Sequence, residues 1–203
     1  MSTATATTRI APAARPGDVD NRATYISFGL AYVVGHGSAA LSKGPSPVLI
    51  LPEWLPITLL GIGLAIGTVC ATLAALRAQL GAAESEAHTG KLLGLSWIIG
   101  FAALAVAITG LTSALNLPDL QNILWPAGSS LIVGLIYLSE GAARRNTLHY
   151  SVGAWLALVA AVALCFSTPG PFWVLTIAGG IGYAVATVLE FRRLTGTSLP
   201  HSD

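Results

Sequence analysis

The fold is decided by the stretch LPITLLGIGLAIGTVCATLAAL at positions 55–76, which contains no charged residue and ends directly before Arg77. A helix needs about 20 apolar residues to cross roughly 30 Å of hydrocarbon, and this stretch meets that length. Lipid offers no hydrogen-bond partner to a peptide group, so a spanning segment must satisfy its own backbone. The stretch therefore predicts a transmembrane helix.

Five further stretches of the same kind accompany it. The chain as a whole is 54% hydrophobic and 9% charged, whereas an ordinary soluble domain carries about 25% charged residues. We therefore predict an all-α fold, a polytopic membrane protein built as a bundle of six transmembrane helices. The five other stretches cover residues 23–41, 92–115, 123–138, 150–166 and 172–189.

The positive charges predict the orientation of the bundle. Of the ten lysines and arginines, Lys43 alone falls on one side of the predicted membrane, and the others fall on the opposite side. Because positively charged loops are retained in the cytoplasm, both termini are expected to be cytoplasmic. The others are Arg9, Arg15, Arg22, Arg77, Lys91, Arg144, Arg145, Arg192 and Arg193.

The domain organisation follows from this pattern. Residues 1–22 are rich in Ala, Thr and Pro without an apolar run, which predicts a disordered cytoplasmic tail. Residues 23–193 form the predicted six-helix transmembrane domain, and residues 194–203 form a short cytoplasmic tail. The lipid bilayer is the first expected partner, and the expected location is the plasma membrane or a bacterial inner membrane.

A weak threefold repeat is visible in the even-numbered stretches. Each begins near a tryptophan and ends near an arginine: Trp54 precedes Arg77, Trp125 precedes Arg144, and Trp173 precedes Arg192. Three related helical hairpins would produce this spacing. Bilayer thickness alone would also favour it, because tryptophan prefers the membrane interface.

Small residues at every fourth position predict how the helices pack, because close backbone approach replaces water expulsion as the driving force inside lipid. The Gly63–Gly67 pair favours packing within one chain over dimerisation. The short turn at 167–171 predicts that the small-residue grooves of the fifth and sixth helices face one another. The predicted packing residues are Gly63, Gly67, Gly153, Ala157, Ala161, Ala178 and Gly182.

His36 is the ionisable side chain that the sequence places within an apolar stretch. One interpretation is a pH-sensitive or ligand-contacting group. The other is a neutral histidine that is hydrogen-bonded to a neighbouring helix or lies near the lipid head groups.

A second candidate region lies at the start of the fourth stretch. Pro126 favours a kink there, and a kink would open a small polar pocket. The candidate ligand residues of this region are Asn116, Gln121, Asn122, Ser129 and Ser130.

The remaining polar residues give little support for chemistry. Glu140 and Glu190 fall near the ends of stretches, just before Arg144 and Arg192, and are expected to anchor the structure. The four-residue spacing of Glu140 and Arg144 suits a surface ion pair. No motif predicts a catalytic residue, a metal ligand or a cofactor, so an enzyme is not expected. Apart from the lysines and arginines that predict the orientation, the chain has no basic patch that would bind nucleic acid.

Two functional hypotheses of different classes remain. The first is a non-enzymatic membrane protein that acts through partners, in an accessory, stress-related or assembly role. Its partner would be another membrane protein or a second copy of the chain. The second is a small permease or channel for a neutral or apolar solute.

Overall fold

The computed structural model describes residues 19–80 and 82–196, and all regular structure within these ranges is helical. The predicted all-α class is therefore confirmed. Helix α1 comprises Arg22–Leu30, Ala31–His36 and Gly37–Ser42; α2 is Trp54–Gln79; α3 is Glu84–Leu115; α4 is Gln121–Ala143; α5 is Thr147–Ala163; and α6 comprises Gly170–Val174, Leu175–Gly179 and Gly180–Gly196. A single 3₁₀ turn, Pro118–Leu120, leads into α4.

Four helical segments are long and apolar enough to cross a membrane, judged by length and composition. Helix α5 is a shorter apolar helix. The protein is therefore a membrane-embedded helical protein. The four segments are Trp54–Gln79, Glu84–Leu115, Pro118–Ala143 and Gly170–Thr195.

Two π-helical segments interrupt the α-helical geometry of α1 and α6. They are Ala31–His36 and Leu175–Gly179, and they contact one another. Helix α4 is α-helical on both sides of Pro126, its sixth residue. Because proline has no N–H to bond the carbonyl four residues earlier, the kink expected at Pro126 stays a prediction.

The helices pack as an open arc. Helix α1 contacts α2 on one side and α6 on the other, and α6, α5, α4 and α3 follow in that order. Helices α2 and α3, at the two ends of the arc, touch each other only slightly. A groove therefore opens between them and leads toward α1 and α4.

The closest approach is between α4 and α5, where glycines replace side chains. A Cβ on Gly134 would lie 2.6 Å from the Ala157 nitrogen, and one on Gly153 would lie 2.5 Å from the Leu138 nitrogen. The small-residue face of α5 thus packs on α4. The prediction that it faces the groove of α6 is wrong, because the tight turn between α4 and α5 brings these two helices together first.

The other predicted packing residues are distributed over several contacts. Gly63 and Gly67 lie against Ala31 and the Phe28 ring of α1, respectively. Gly182 lies beneath Trp155, whose indole Nε1–H donates a 2.8 Å hydrogen bond to the Ala178 carbonyl. Ala161 is exposed.

The predicted tails fall largely outside the described ranges, since residues 1–18 and 197–203 are not among them. At the other boundary α6 continues to Gly196, three residues beyond the predicted end of the transmembrane domain at 193. At the first boundary α1 begins at Arg22, one residue before the predicted start.

Candidate functional site

A cavity of about 390 Å³ opens at the arginine-rich end of the bundle, the end at which Arg77, Arg144 and Arg193 lie. Helices α1, α2, α3 and α4 and the start of α5 surround it. Phe28, Leu76 and Leu93 contribute apolar surface, while the hydroxyls of Thr68 and Thr72 are among its polar groups. We call this space the basic-end cavity.

A hydrogen-bonded network forms one wall of the basic-end cavity. The Glu140 carboxylate accepts a 3.0 Å hydrogen bond from the Trp97 indole Nε1–H and lies 3.1 Å from His149 Nε2. The other ring nitrogen of His149, Nδ1, lies 2.8 Å from the Tyr25 hydroxyl. With its proton on Nε2, the imidazole donates to Glu140 and accepts from Tyr25, so every polar group of the network is satisfied.

The turn between α4 and α5 positions this network. Arg145 adopts a left-handed conformation with φ of 53°, which reverses the chain within three residues. The Asn146 side chain then caps α5 by accepting a 3.0 Å hydrogen bond from the backbone N–H of His149. His149 is therefore held in the first turn of α5, facing Glu140 in the last turns of α4.

Two buried hydroxyls on the cavity wall have hydrogen-bonding capacity to spare. Thr24 Oγ1 has no hydrogen-bond partner among the described residues, and the Tyr137 hydroxyl has only the Tyr183 hydroxyl within reach; Thr24 and Tyr137 are both 1% exposed. The Tyr137 ring packs 4.1 Å, centroid to centroid, from the imidazole of His149. A buried hydroxyl without a partner costs free energy, so this wall has hydrogen-bonding capacity that the protein itself does not use.

A second polar cluster fixes the segment that leads into α1. Glu190 is fully buried and accepts two hydrogen bonds from the Arg193 guanidinium, at 2.8 and 2.9 Å. It also accepts the Asn21 backbone N–H at 3.0 Å, and Arg193 donates to the Val19 carbonyl at 2.9 Å. Val19 and Asn21 are thereby held at the rim of the basic-end cavity, which they help to line.

These clusters correct the expectation of a surface ion pair at Glu140, which bonds Trp97 and His149 instead of pairing with Arg144. Glu190 pairs with Arg193. Helix geometry favours this pair, because residues three apart share a face.

The exposed ion pair at this end is formed by two other residues. The Arg22 guanidinium lies 2.6 Å from the Asp20 carboxylate. The hydrogen bond from Arg22 lowers the pKa of Asp20 below its ordinary value of 3.8.

The residues predicted to bind a ligand do not form one site. Ser130 accepts a 2.9 Å hydrogen bond from the Tyr32 hydroxyl deep in the bundle. His36 is 3% exposed, and its ring packs against Tyr32 and Phe172. Both residues lie outside the basic-end cavity.

A second cavity, of about 490 Å³, lies at the opposite end of the bundle and takes in part of the predicted set. Asn116 and Asn122 line it together with Lys43, Asp119 and Phe172. Asn116 also ends α3 in a left-handed conformation with φ of 55°, a structural role that asparagine suits. We call this space the opposite-end cavity.

The other two members of the predicted set lie elsewhere. Gln121 donates a 3.2 Å hydrogen bond from its side-chain amide to Thr112 Oγ1, which ties α4 to α3. Ser129 is half-buried in α4 and does not line either cavity.

The sequence pattern did not predict that Tyr25, Trp97, Tyr137, Glu140 and His149 come together. One signal was available in the chain: Glu140 and His149 flank the Arg-Arg-Asn turn on the two sides of a hairpin. Antiparallel helices joined by so short a turn bring such positions face to face.

Neither a metal-binding cluster among the described residues nor a match to a known protein identifies the site. No group of three or more His, Cys, Asp or Glu side chains that could hold a metal ion occurs within residues 19–80 and 82–196. Comparison of the chain with known protein families, with curated proteins and with solved structures gives no match.

Proposed function

We propose that the chain is a small permease that takes up a neutral, hydrogen-bonding solute in the basic-end cavity and passes it across the bilayer. The observation that carries this proposal is the unused hydrogen-bonding capacity of the Thr24 and Tyr137 hydroxyls on the cavity wall near Glu140: Thr24 has no partner, and Tyr137 has only the Tyr183 hydroxyl. A solute that hydrogen-bonds these hydroxyls would use that capacity.

Electrostatics favours a neutral solute. The Glu140 carboxylate is already bonded by Trp97 and His149, and Arg144 on the same wall opposes its charge. The unused capacity is therefore on uncharged hydroxyls. A volume of about 390 Å³ corresponds to roughly 13 water molecules at ~30 Å³ each, which suits a solute of about ten non-hydrogen atoms or fewer.

The proposed topology has six spans, arranged as three hairpins, with both termini in the cytoplasm of a plasma membrane or bacterial inner membrane. The distribution of lysine and arginine supports this orientation. In this orientation the basic-end cavity opens toward the cytoplasm, and the opposite-end cavity faces outward.

Transport is tested in liposomes that contain the purified protein. Stopped-flow light scattering would measure the entry of a size series of polyols, from glycerol to sorbitol. We expect Thr24→Val and Tyr137→Phe to change the rate for the permeant polyols at least threefold. The matched controls are Thr58→Val and Tyr150→Phe, whose side chains are exposed away from the basic-end cavity, and they should leave the rate unchanged.

A role through a membrane partner is the second candidate. Helices α2 and α3 are, respectively, 11% and 6% buried over their apolar windows, so they offer free faces to lipid or to another helix. In-cell crosslinking that recovers one stoichiometric membrane protein, together with liposomes impermeable to every polyol tested, would favour this candidate over transport.

A further inference from the structure

Buried polar groups continue beyond the basic-end cavity, along the middle of the bundle. The hydroxyl of Tyr183, a residue that is 1% exposed, lies within reach of the Tyr137 hydroxyl on the cavity wall. His36 Nδ1 lacks a hydrogen-bond partner within the described ranges, and His36 is 3% exposed. Thr176 Oγ1 is buried and also lacks one. Thr176 lies against Gly37, the neighbour of His36, with 3.9 Å between Oγ1 and the position of a Cβ on that glycine.

These buried polar groups follow one another along the axis of the bundle. From Thr24 to His36, α1 rises by about 18 Å at 1.5 Å per residue, which is more than half of a ~30 Å hydrocarbon layer. Tyrosine rings connect the two ends: Tyr25 to Tyr183 at 6.3 Å, Tyr183 to Tyr32 at 5.2 Å, and Tyr32 to His36 at 5.0 Å between ring centroids. We call these side chains together the polar column: Thr24, Tyr25, Tyr32, His36, Tyr137, Thr176 and Tyr183.

The far end of the polar column coincides with the two π-helical segments. His36 closes the segment Ala31–His36, and Thr176 lies within Leu175–Gly179. A π-turn shifts the backbone hydrogen bonds to residues five apart, and such turns recur at functional sites. The two π-helical segments contact each other, and each contains one of the unpartnered side chains.

Phe172 separates the polar column from the opposite-end cavity. Its ring stacks on the His36 ring with 6.4 Å between centroids, and the same residue lines the opposite-end cavity. Phe172 is 8% exposed, so it forms an apolar plug one side chain thick between two polar regions.

We propose that the polar column is a hydrated route that carries small neutral solutes from the basic-end cavity to Phe172, which closes it toward the opposite-end cavity. Water or solute hydroxyls in the column would supply the partners that Thr24, His36 and Thr176 do not find among the described residues. This inference rests on the proposed permease function and specifies its pathway.

Hydration of the column is tested by cysteine labelling in liposomes. In a Cys70→Ser, Cys165→Ser background, His36→Cys and Thr176→Cys should react with a small hydrophilic methanethiosulfonate at least tenfold faster than Val34→Cys and Ile177→Cys. The two controls are exposed on the outer surface of the same helices, where lipid surrounds them. Equal or slower labelling of the two column variants, each eluting as a single sharp species on size exclusion, would overturn the route.

The barrier is tested by Phe172→Ala, with Phe166→Ala, an exposed phenylalanine, as the matched control. We expect Phe172→Ala to raise glycerol and water permeability severalfold and the control to leave both unchanged. An unchanged permeability in Phe172→Ala would show that Phe172 does not close the route.

The two proposals can fail separately. Fast labelling of the column without polyol flux in any variant would retain the hydrated route and reject the permease. Polyol flux with an unlabelled column would retain the permease and place its pathway elsewhere.

Discussion

Gly153→Ala tests the contact on which the site is built. A Cβ at this position would lie 2.5 Å from the Leu138 nitrogen, 2.6 Å from the Gly134 oxygen and 2.9 Å from the Tyr137 carbonyl carbon. Ordinary contacts of a Cβ begin near 3.4 Å, and the three atoms belong to backbone that no rotamer change can move. Helix α4 would therefore have to shift by about 1 Å, taking Tyr137 with it.

The expected magnitude follows from two opposing effects. Overpacking of a tight interface costs about 1–3 kcal/mol, and a clash with backbone on three atoms belongs at the upper end of that range. Alanine recovers about 1 kcal/mol through its higher helix propensity. We expect a net loss of about 2 kcal/mol in the free energy of unfolding, a factor of roughly 30 in the unfolding equilibrium.

The assay is equilibrium unfolding in mixed detergent micelles, followed by circular dichroism. Gly110→Ala is the matched control, because Gly110 is helical and a Cβ there meets nothing within 4 Å. This control should be unchanged or more stable by up to about 1 kcal/mol. If Gly153→Ala proved as stable as Gly110→Ala, the close packing of α4 on α5 would be refuted.

Four further variants have expected outcomes, the first three in the same unfolding assay and the fourth in purification. Glu190→Ala should lower the free energy of unfolding by about 3 kcal/mol, because it removes the buried carboxylate that bonds the Arg193 guanidinium and the Asn21 N–H. Asp20→Asn at the exposed pair should change the free energy of unfolding by less than about 0.5 kcal/mol; any difference should shrink as the pH falls through the lowered pKa of Asp20, since protonation removes the same charge. Equal losses in the two variants would contradict the buried role of Glu190. Tyr25→Phe should cost about 1–2 kcal/mol by leaving the buried histidine ring nitrogen without its donor, and a loss below about 0.3 kcal/mol would argue against that hydrogen bond. Gly182→Leu should prevent stable folding because the new side chain overlaps an indole ring, whereas Gly61→Leu, with open space at its Cβ, should purify as wild type does.

The sequence predicted the helices well because hydrophobic length is a local property. The stretch at 55–76 lies within α2, Trp54–Gln79, and the end of α6 differs from the prediction by a few residues. Which helix packs against which is not a local property. The sequence leaves open whether the small-residue face around Gly153 packs on α4 or on α6. The left-handed turn at Arg145 brings α5 back against α4, and Gly153 contacts that helix.

The candidate site was predicted least well, because its groups come from four helices and from the ends of two of them. Glu140 and His149 belong to a polar-looking segment that the charge pattern assigns to a loop. Glu140 and His149 are nevertheless part of the packed helices, because the helices extend beyond their apolar stretches: α4 continues to Ala143 and α5 begins at Thr147. His36 stood out in the sequence for the opposite reason, since it interrupts an apolar stretch.

The two π-turns bear on the rotational phase of the residues that follow them. A π-turn holds one residue more than an α-turn, so deleting one residue from Leu175–Gly179 would restore α-geometry and leave the rest of α6 on the same face. Tyr183 and Glu190 would then stay at the centre of the bundle. The same deletion in the regular part of α6 before Tyr183 would instead turn both residues by about 100°. A one-residue gap in a related chain is therefore compatible with the same interior when it falls within a π-turn, and with a different interior when it falls elsewhere in the helix.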